Sequence, residues 1–149
     1  MEKVVLISCS SKKEDREMKA EHIYTSELFI RSLQYARHLN SNKIYILSAK
    51  YGLLNLDTII QPYDVTLSYV TPKDRRPGLK VLNPYENKQW ANNVLNQLRE
   101  ENIDINNTKF IILAGKSYFE NLIPLMTNYE LPLDGLKVGE RLQFLGGKI

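Results

Sequence analysis

The stretch from Lys43 to Leu67 decides the fold, and it reads K-I-Y-I-L-S-A-K-Y-G-L-L-N-L-D-T-I-I-Q-P-Y-D-V-T-L. It opens with an apolar run at 44–47, which is typical of a strand buried on both faces of a parallel sheet. The run changes abruptly to S-A-K-Y-G at 48–52, and P-Y-D follows at 62–64. Because α/β proteins bind ligands beyond the carboxyl ends of their strands, the change predicts the floor and one wall of a polar site.

Two further apolar runs predict strands that pair with the first. They read V-V-L-I-S at 4–8 and F-I-I-L-A at 110–114. Between the first two strands, Ser26 is expected to cap a helix that runs to about Leu39, and a strand–helix–strand unit gives parallel pairing. We therefore predict an α/β fold with one three-layer domain over 1–149, in which helices flank a small, mainly parallel sheet.

Capping signals predict two more helices. Asn83, followed by Pro84 and by Glu86 three positions after the cap, marks the start of a helix whose apolar stripe includes Trp90. The stretch 117–120, S-Y-F-E, fits a capping box for a shorter helix that Pro124 ends or disturbs. Between these elements, Tyr69 to Lys80 predicts a long loop, either a functional lid or a surface excursion.

The composition bounds the class of protein. The chain has 149 residues, 43% of them hydrophobic, with a net charge of +3 and one cysteine. It contains no apolar run of about 18 residues, so we expect no membrane span. One cysteine forms no internal disulfide, and with no signal-peptide pattern we expect a cytoplasmic protein. The mild positive charge permits a phosphorylated ligand or nucleic acid without requiring either.

The three predicted strands end in similar residue types, and these ends should meet at one edge of the sheet. Hydroxyls, lysines and backbone donors together suit an anion such as phosphate, or a polar ring such as a base or a sugar. The residues expected to bind the ligand are Ser8, Ser10, Lys12, Lys13, Ser48, Tyr51, Gly52, Tyr63, Gly115 and Tyr118.

Few residues are candidates for the chemistry itself. Asp64 could orient or deprotonate a water or hold a ribose hydroxyl, or it could simply cap a turn. Lys50 could stabilise developing negative charge. Cys9 lies beside lysines and could be a nucleophile, but the sequence favours the alternative that it is a small buried thiol. One cysteine and two scattered histidines do not predict a metal site, and no dinucleotide or P-loop motif predicts a cofactor.

Several motifs resemble a family of small bacterial and phage proteins classed as a domain of unknown function. In chain order they are I-S-C-S-S-K-K, Y-T-S-x-L-F, I-L-S-A-K-Y-G-L, I-x-P-Y-D-V-T-L, L-A-G-K-x-Y and P-L-x-G-L-x-V-G-x-R-L-x-x-L. The resemblance covers nearly the whole chain.

More remotely, the Ser/Cys/Lys motif after the first strand resembles YaaA-type peroxide-stress proteins and the amino-terminal domain of archaeosine-synthesis enzymes, which share the uracil-DNA-glycosylase-like fold. This likeness implies a site for a base or nucleoside at the strand ends. The chain lacks the glycosylases' G-Q-D-P-Y-H motif and a late catalytic histidine, which argues against hydrolysis of an N-glycosidic bond.

Two functional hypotheses follow. The first is an enzyme that acts on a nucleobase, nucleoside or nucleotide, either free or in DNA. The second is a non-catalytic module that sequesters a nucleotide or contacts nucleic acid. In both, the expected partner is a nucleotide-like or other anionic small molecule, with nucleic acid as an open alternative. A purely structural protein would need no such concentration of serine, lysine and tyrosine at its strand ends.

Overall fold

A five-stranded mixed sheet forms the centre of the computed structural model, which describes residues 1–146. The strands in chain order are β1 (Glu2–Ser8), β2 (Met18–Lys19), β3 (Lys43–Ser48), β4 (Gly52–Asn55), β5 (Ile59–Ile60), β6 (Val65–Thr66), β7 (Lys80–Val81), β8 (Thr108–Leu113) and β9 (Tyr129–Glu130). The helices are α1 (Ala20–Ile23), α2 (Glu27–His38), α3 (Pro84–Glu100), α4 (Lys116–Leu122) and α5 (Val138–Gly146).

The sheet has the order β4-β3-β1-β8-β9, with β1 at its centre. β1 pairs in parallel with β3 on one side and with β8 on the other. β9 continues the parallel part, and only β4 runs antiparallel. The expected mainly parallel α/β sheet is therefore confirmed, and the three predicted strands are neighbours whose carboxyl ends share one edge.

Helices cover both faces of the sheet, because successive side chains of a buried strand point to opposite sides. On one face, Val4 and Leu6 of β1 pack with the buried side of α3 and with α4. On the other face, Val5 and Ile7 pack with α2 and with Leu145 of α5. The two cores explain why β1 carries an unbroken apolar run.

Capping confirms two of the predicted helix starts and corrects the third. The hydroxyl of Ser26 accepts the backbone N–H of Phe29, and Asn83 forms a full capping box at the start of α3. α4, in contrast, has Gly115 at its cap with no side-chain bond, so the predicted capping box at 117–120 is wrong. The reason is that the Ser117 hydroxyl is paired instead with that of Ser68, 2.7 Å away.

Among the helices described within residues 1–146, none combines the length and the apolar character that a membrane span requires.

The segment after β3 folds back as a tight hairpin that the sequence did not predict. Ser48 pairs with Gly52 at the closed end, and Leu53 and Leu54 of the returning strand are buried. Gly52 adopts a positive φ of 76°, in the left-handed region that favours glycine. α3 holds the turn through Gln97, whose Oε1 accepts Leu53 N at 2.8 Å and whose Nε2 donates to Tyr51 O at 3.2 Å.

Two small ladders lie beside the main sheet and shape its carboxyl edge. β2 pairs with β5, and β6 pairs in parallel with β7. The second ladder closes the predicted 69–80 loop, which contains one short 3₁₀ turn, Pro72–Asp74. The loop is therefore anchored at both ends, next to the segment that carries Asp64.

We predict that Gly52→Ala destabilises the protein much more than Gly78→Ala. Both glycines have positive φ, but a Cβ at Gly52 would clash with Oε1 of Gln97, whereas at Gly78 nothing lies within 4 Å. We expect a loss of about 2–4 kcal/mol of unfolding free energy at Gly52, against about 1 kcal/mol at Gly78. Urea unfolding of both variants measures this difference, and equal losses would contradict the role assigned to Gln97.

Candidate functional site

The carboxyl ends of β1 and β8 form a crevice at which the direction of the sheet reverses. From β1 the chain goes to β3 on one side, and it later returns to place β8 on the other side. Such reversals open a gap between neighbouring strand ends, where open α/β sheets bind ligands. Two cavities lie here, and Cys9 and Ser10, directly after β1, line both of them.

The larger cavity, called here the cleft, has a volume of about 260 Å³. One side is the segment after β1, and the other is formed by the β6 region, the 69–80 loop and α4. Its lining residues are Cys9, Ser10, Ser11, Lys13, Asp64, Val65, Thr66, Val70, Arg76, Leu79 and Tyr118. A shallower depression, lined partly by Lys13 and Asp64, continues outward from it.

Lys13 is the half-buried cation of the cleft. Its Nζ lies 4.4 Å from the ring centroid of Tyr63 and 6.0 Å from that of Tyr24. Burial lowers the pKa of Lys13, and the positive charge of Arg76 adds to the lowering. Cys9 and Asp64 act on it in the opposite direction. A lysine with a lowered pKa is a better proton acceptor near neutral pH than an exposed lysine.

A chain of hydroxyl groups lies beneath Lys13. The Ser48 hydroxyl donates to the Tyr63 hydroxyl at 2.8 Å, and the Tyr63 and Tyr24 hydroxyls are 2.5 Å apart. Separately, the Tyr118 hydroxyl lies 3.1 Å from Sγ of Cys9. Burial raises the pKa of Tyr24, Tyr63 and Tyr118, and the nearby Cys9 adds to the effect. These phenols therefore stay protonated and serve as hydrogen-bond groups.

Asp64 and Arg76 form an ion pair at the mouth of the cleft. Nε of Arg76 donates to Oδ2 of Asp64 at 3.0 Å, and its second nitrogen contacts Oδ1. The two side chains are 33% and 55% exposed, so water reaches the pair. Both carboxylate oxygens contact Arg76, so the guanidinium competes with a substrate or a bound water for Asp64.

The smaller cavity has a volume of about 50 Å³ and lies on the α2 side of the same crevice. Four serines line it, together with backbone after β8 and one guanidinium from α5. These polar residues are Ser8, Ser10, Ser26, Ser32, Gly115 and Arg141. Nε of Arg141 donates to the carbonyl of Leu136 at 2.9 Å, which fixes the side chain against the tail.

Most of the predicted ligand residues do meet at this edge. Ser8, Ser10 and Gly115 line the smaller cavity, while Lys13 and Tyr118 line the cleft. Three others form the layer beneath: Tyr63 contacts the hydroxyl of Ser48 and, edge to face at 5.5 Å, the ring of Tyr51.

Three predicted residues lie elsewhere. Lys12 and Lys50 are exposed and line neither cavity, and Nζ of Lys50 lies 5.3 Å from the ring centroid of the adjacent Tyr51. Gly52 contacts α3 instead of the crevice. The β3–β4 hairpin turns Lys50 and Gly52 away from the crevice, and the sequence analysis did not predict β4.

Two arginines of the site were missed by sequence reasoning. Arg76 lies in the charged cluster of the 69–80 loop, and Arg141 in the glycine-containing tail. The last helix, α5, brings Arg141 to the smaller cavity. Within residues 1–146, no three side chains of the His, Cys, Asp or Glu types lie close enough to hold a metal ion.

We predict that stability falls as the pH rises above about 10, the ordinary pKa of tyrosine. A raised folded-state pKa means that the folded protein keeps protons that the unfolded chain loses there, so deprotonation favours unfolding. Tyr63→Phe should flatten this fall, whereas Tyr69→Phe, at a position 74% exposed, should leave it unchanged. Urea unfolding between pH 9 and 11 measures the slopes, and parallel slopes for wild type and Tyr63→Phe would contradict the prediction.

Comparison with known proteins gives one match. Among curated proteins and among solved structures, no significant similarity to this chain is found. A protein-family model described as a family of unknown function, DUF6884, matches residues 4–147. That span includes β1 from Val4 onwards, every strand end at the crevice and the helix that carries Arg141. The chain therefore belongs to the DUF6884 family of unknown function.

Proposed function

We propose that this protein is an enzyme that acts on a nucleobase, nucleoside or nucleotide bound in the cleft, with Lys13 as the proton-transferring group. The observation that carries the proposal is the position of Lys13. It is half-buried, its pKa is lowered by burial, and it lines a cleft at the reversal point of the sheet. Perturbed titratable groups in such clefts are typical of catalytic sites.

The size of the cleft supports a ligand no larger than one nucleoside. Its volume of about 260 Å³ is slightly below the range of about 300–1,000 Å³ that is usual for small-molecule sites. The lining combines hydroxyls, a thiol and a tyrosine ring with the aliphatic side chains of Val65, Val70 and Leu79, which suits a polar ring that also presents an apolar face. The preference for a base among such rings rests on the remote likeness to the uracil-DNA-glycosylase-like proteins, to which the comparisons add nothing.

The site residues fall into three roles in this proposal. Neutral Lys13 accepts a proton from the substrate or from a bound water, and the ammonium that forms lies over the face of Tyr63, which stabilises a cation. The Tyr118 hydroxyl and the Cys9 thiol hydrogen-bond the ligand. The Asp64–Arg76 pair orients a sugar hydroxyl or a phosphate at the mouth. Lys50, first considered for catalysis, is replaced by Lys13 because it lies outside both cavities.

A non-catalytic binding module is the second candidate, and one observation favours it. Asp64 is the one carboxylate among the described residues that line the cleft, and Arg76 occupies both of its oxygens. A site without a free carboxylate binds an anion more readily than it activates water. In this version Lys13 and Arg76 supply charge and no bond is broken.

We predict that Lys13→Gln weakens ligand binding, whereas Lys12→Gln leaves it unchanged. The neighbouring lysines lose the same charge, but only Lys13 lines the cleft. Thermal shift against a panel of nucleobases, nucleosides and nucleoside monophosphates identifies the ligand, and calorimetry then measures the dissociation constant. We expect a loss of at least about tenfold for Lys13→Gln, since a charged hydrogen bond contributes roughly 1.5–3 kcal/mol. No shift with any member of the panel would overturn the proposal.

Turnover separates the two candidates, and its pH dependence tests the role of Lys13. If Lys13 is the base, the rate falls as the pH drops below its lowered pKa, because the protonated form accepts no proton. Lys13→Arg keeps the charge but cannot deprotonate, so it should bind the ligand and not convert it. Chromatography of the ligand after incubation measures conversion. A ligand recovered intact across pH 5–10 would exclude the enzyme and support the non-catalytic binding module.

A further inference from the structure

We infer that the smaller cavity is a binding site for one oxyanion, held by Arg141, and that it takes the terminal phosphate of a nucleoside monophosphate whose ring occupies the cleft. The anion site rests on the geometry of the cavity alone. Its assignment to a nucleotide rests on the function proposed above.

The charge of the cavity is uncompensated. Among the described residues that line it, Arg141 carries the only formal charge, and no described carboxylate lies within ion-pair distance of its guanidinium. The contact of Nε with the carbonyl of Leu136 uses one of the five donors of the group and leaves the fork of terminal nitrogens. A half-buried guanidinium with free donors favours an anion, because the fork matches the oxygens of a phosphate or a carboxylate.

The hydroxyl of Ser32 gives independent support. Ser32 is 2% exposed and lines this cavity, and no hydrogen bond joins its hydroxyl to another described residue. The hydroxyl of so buried a residue, with no partner of its own among the described residues, is free to bind a ligand or an ordered water in the cavity. The cavity is thus lined by a hydroxyl from α2 as well as by the guanidinium from α5.

The backbone around the cavity is also suited to an oxyanion. The cap residue Ser26, with Leu28 and Phe29 from the first turn of the twelve-residue α2, lines the cavity. The Ser26 hydroxyl takes the N–H of Phe29, so of these three residues Leu28 contributes the first-turn N–H that has no partner within the helix, at the positive end of its dipole. The opposite side is Gly115, where an added Cβ would lie 3.6 Å from Nη1 of Arg141. The guanidinium therefore rests close against the chain that follows β8.

The volume selects the kind of anion. One water needs about 10–15 Å³ by this measure, so about 50 Å³ holds a group of a few heavy atoms, such as a phosphate, and excludes a base. Cys9 and Ser10 line both cavities, so a ligand that spans them places its phosphate and its ring on either side of this segment. A terminal phosphate fits that geometry, whereas a bridging phosphodiester needs a second outlet for the next nucleotide.

Binding of inorganic phosphate, followed by calorimetry and by ³¹P NMR, tests the anion site. We expect Arg141→Gln to weaken binding at least tenfold and Arg99→Gln, a matched change on the exposed side of α3, to leave it unchanged. Because Arg141→Gln also removes the contact with Leu136, circular dichroism must show an intact fold. Ser32→Ala, which alters no charge and leaves the contact between Arg141 and Leu136 in place, should weaken phosphate binding severalfold. Equal affinities for wild type, Arg141→Gln and Ser32→Ala, or no phosphate binding by wild type, would overturn the inference.

A second comparison separates this inference from the proposed function. The cognate nucleoside, its 5′-monophosphate and a single-stranded oligonucleotide are each measured with wild type and with Arg141→Gln. We expect the monophosphate to bind more tightly than the nucleoside in the wild type only. If Arg141→Gln binds the nucleotide as tightly as the wild type, the phosphate site is wrong, while the proposed binding of the ring in the cleft stands. If phosphate binds through Arg141 but no nucleoside binds, the anion site stands and its assignment to a nucleotide is wrong. If the oligonucleotide binds more tightly than the monophosphate, the ligand is a nucleic-acid strand and the assignment to a monophosphate is wrong.

Discussion

The buried Ser48 links the β3–β4 hairpin, α3 and the tyrosine layer beneath the cleft through its hydrogen bonds. It is fully buried at the end of β3, where its hydroxyl accepts the N–H groups of Lys50 and Tyr51 and donates to Tyr63. Its carbonyl accepts Nε1 of Trp90 from α3 at 2.8 Å. One residue thus ties together the hairpin, a helix on one face of the sheet and the segment that leads to Asp64. An unsatisfied hydroxyl at this depth would cost about 1–3 kcal/mol, so the polar layer exists only if all these partners stay in place.

The same layer explains why a lysine is tolerated beside the core. Tyr63 is held in place by Ser48 below and by Tyr24 at its side, and its ring faces Nζ of Lys13. The ring compensates part of the hydration that the ammonium loses, and the rest of the loss appears as the lowered pKa. The hydrogen bonds of Ser48 therefore determine the environment of Lys13 without contacting it.

The sequence predicts the central sheet well because each of its strands is recognisable locally. Unbroken apolar runs marked β1, β3 and β8, and the caps at Ser26 and Asn83 marked α2 and α3. β4 was missed because its four residues carry no alternating pattern, and its pairing depends on a turn that α3 stabilises from 44 positions away. That omission also explains why Lys50 was expected in the site, since the direction of its side chain depends on the hairpin. Arg141 was missed because only tertiary packing of α5 on α2 brings it to the crevice.

The charges of the site are distributed unevenly between its two cavities, and this constrains what they bind. In the cleft, Arg76 is paired with Asp64, so with Lys13 neutral, as the proposed function requires, a neutral or weakly charged ring meets little net charge there. In the smaller cavity, Arg141 has no described counter-charge. A ligand with its charge at one end and a neutral polar ring at the other would match both cavities in only one orientation. Because Cys9 and Ser10 line both cavities, that orientation would bring the part of the ligand that joins the ring to the charged end next to the thiol.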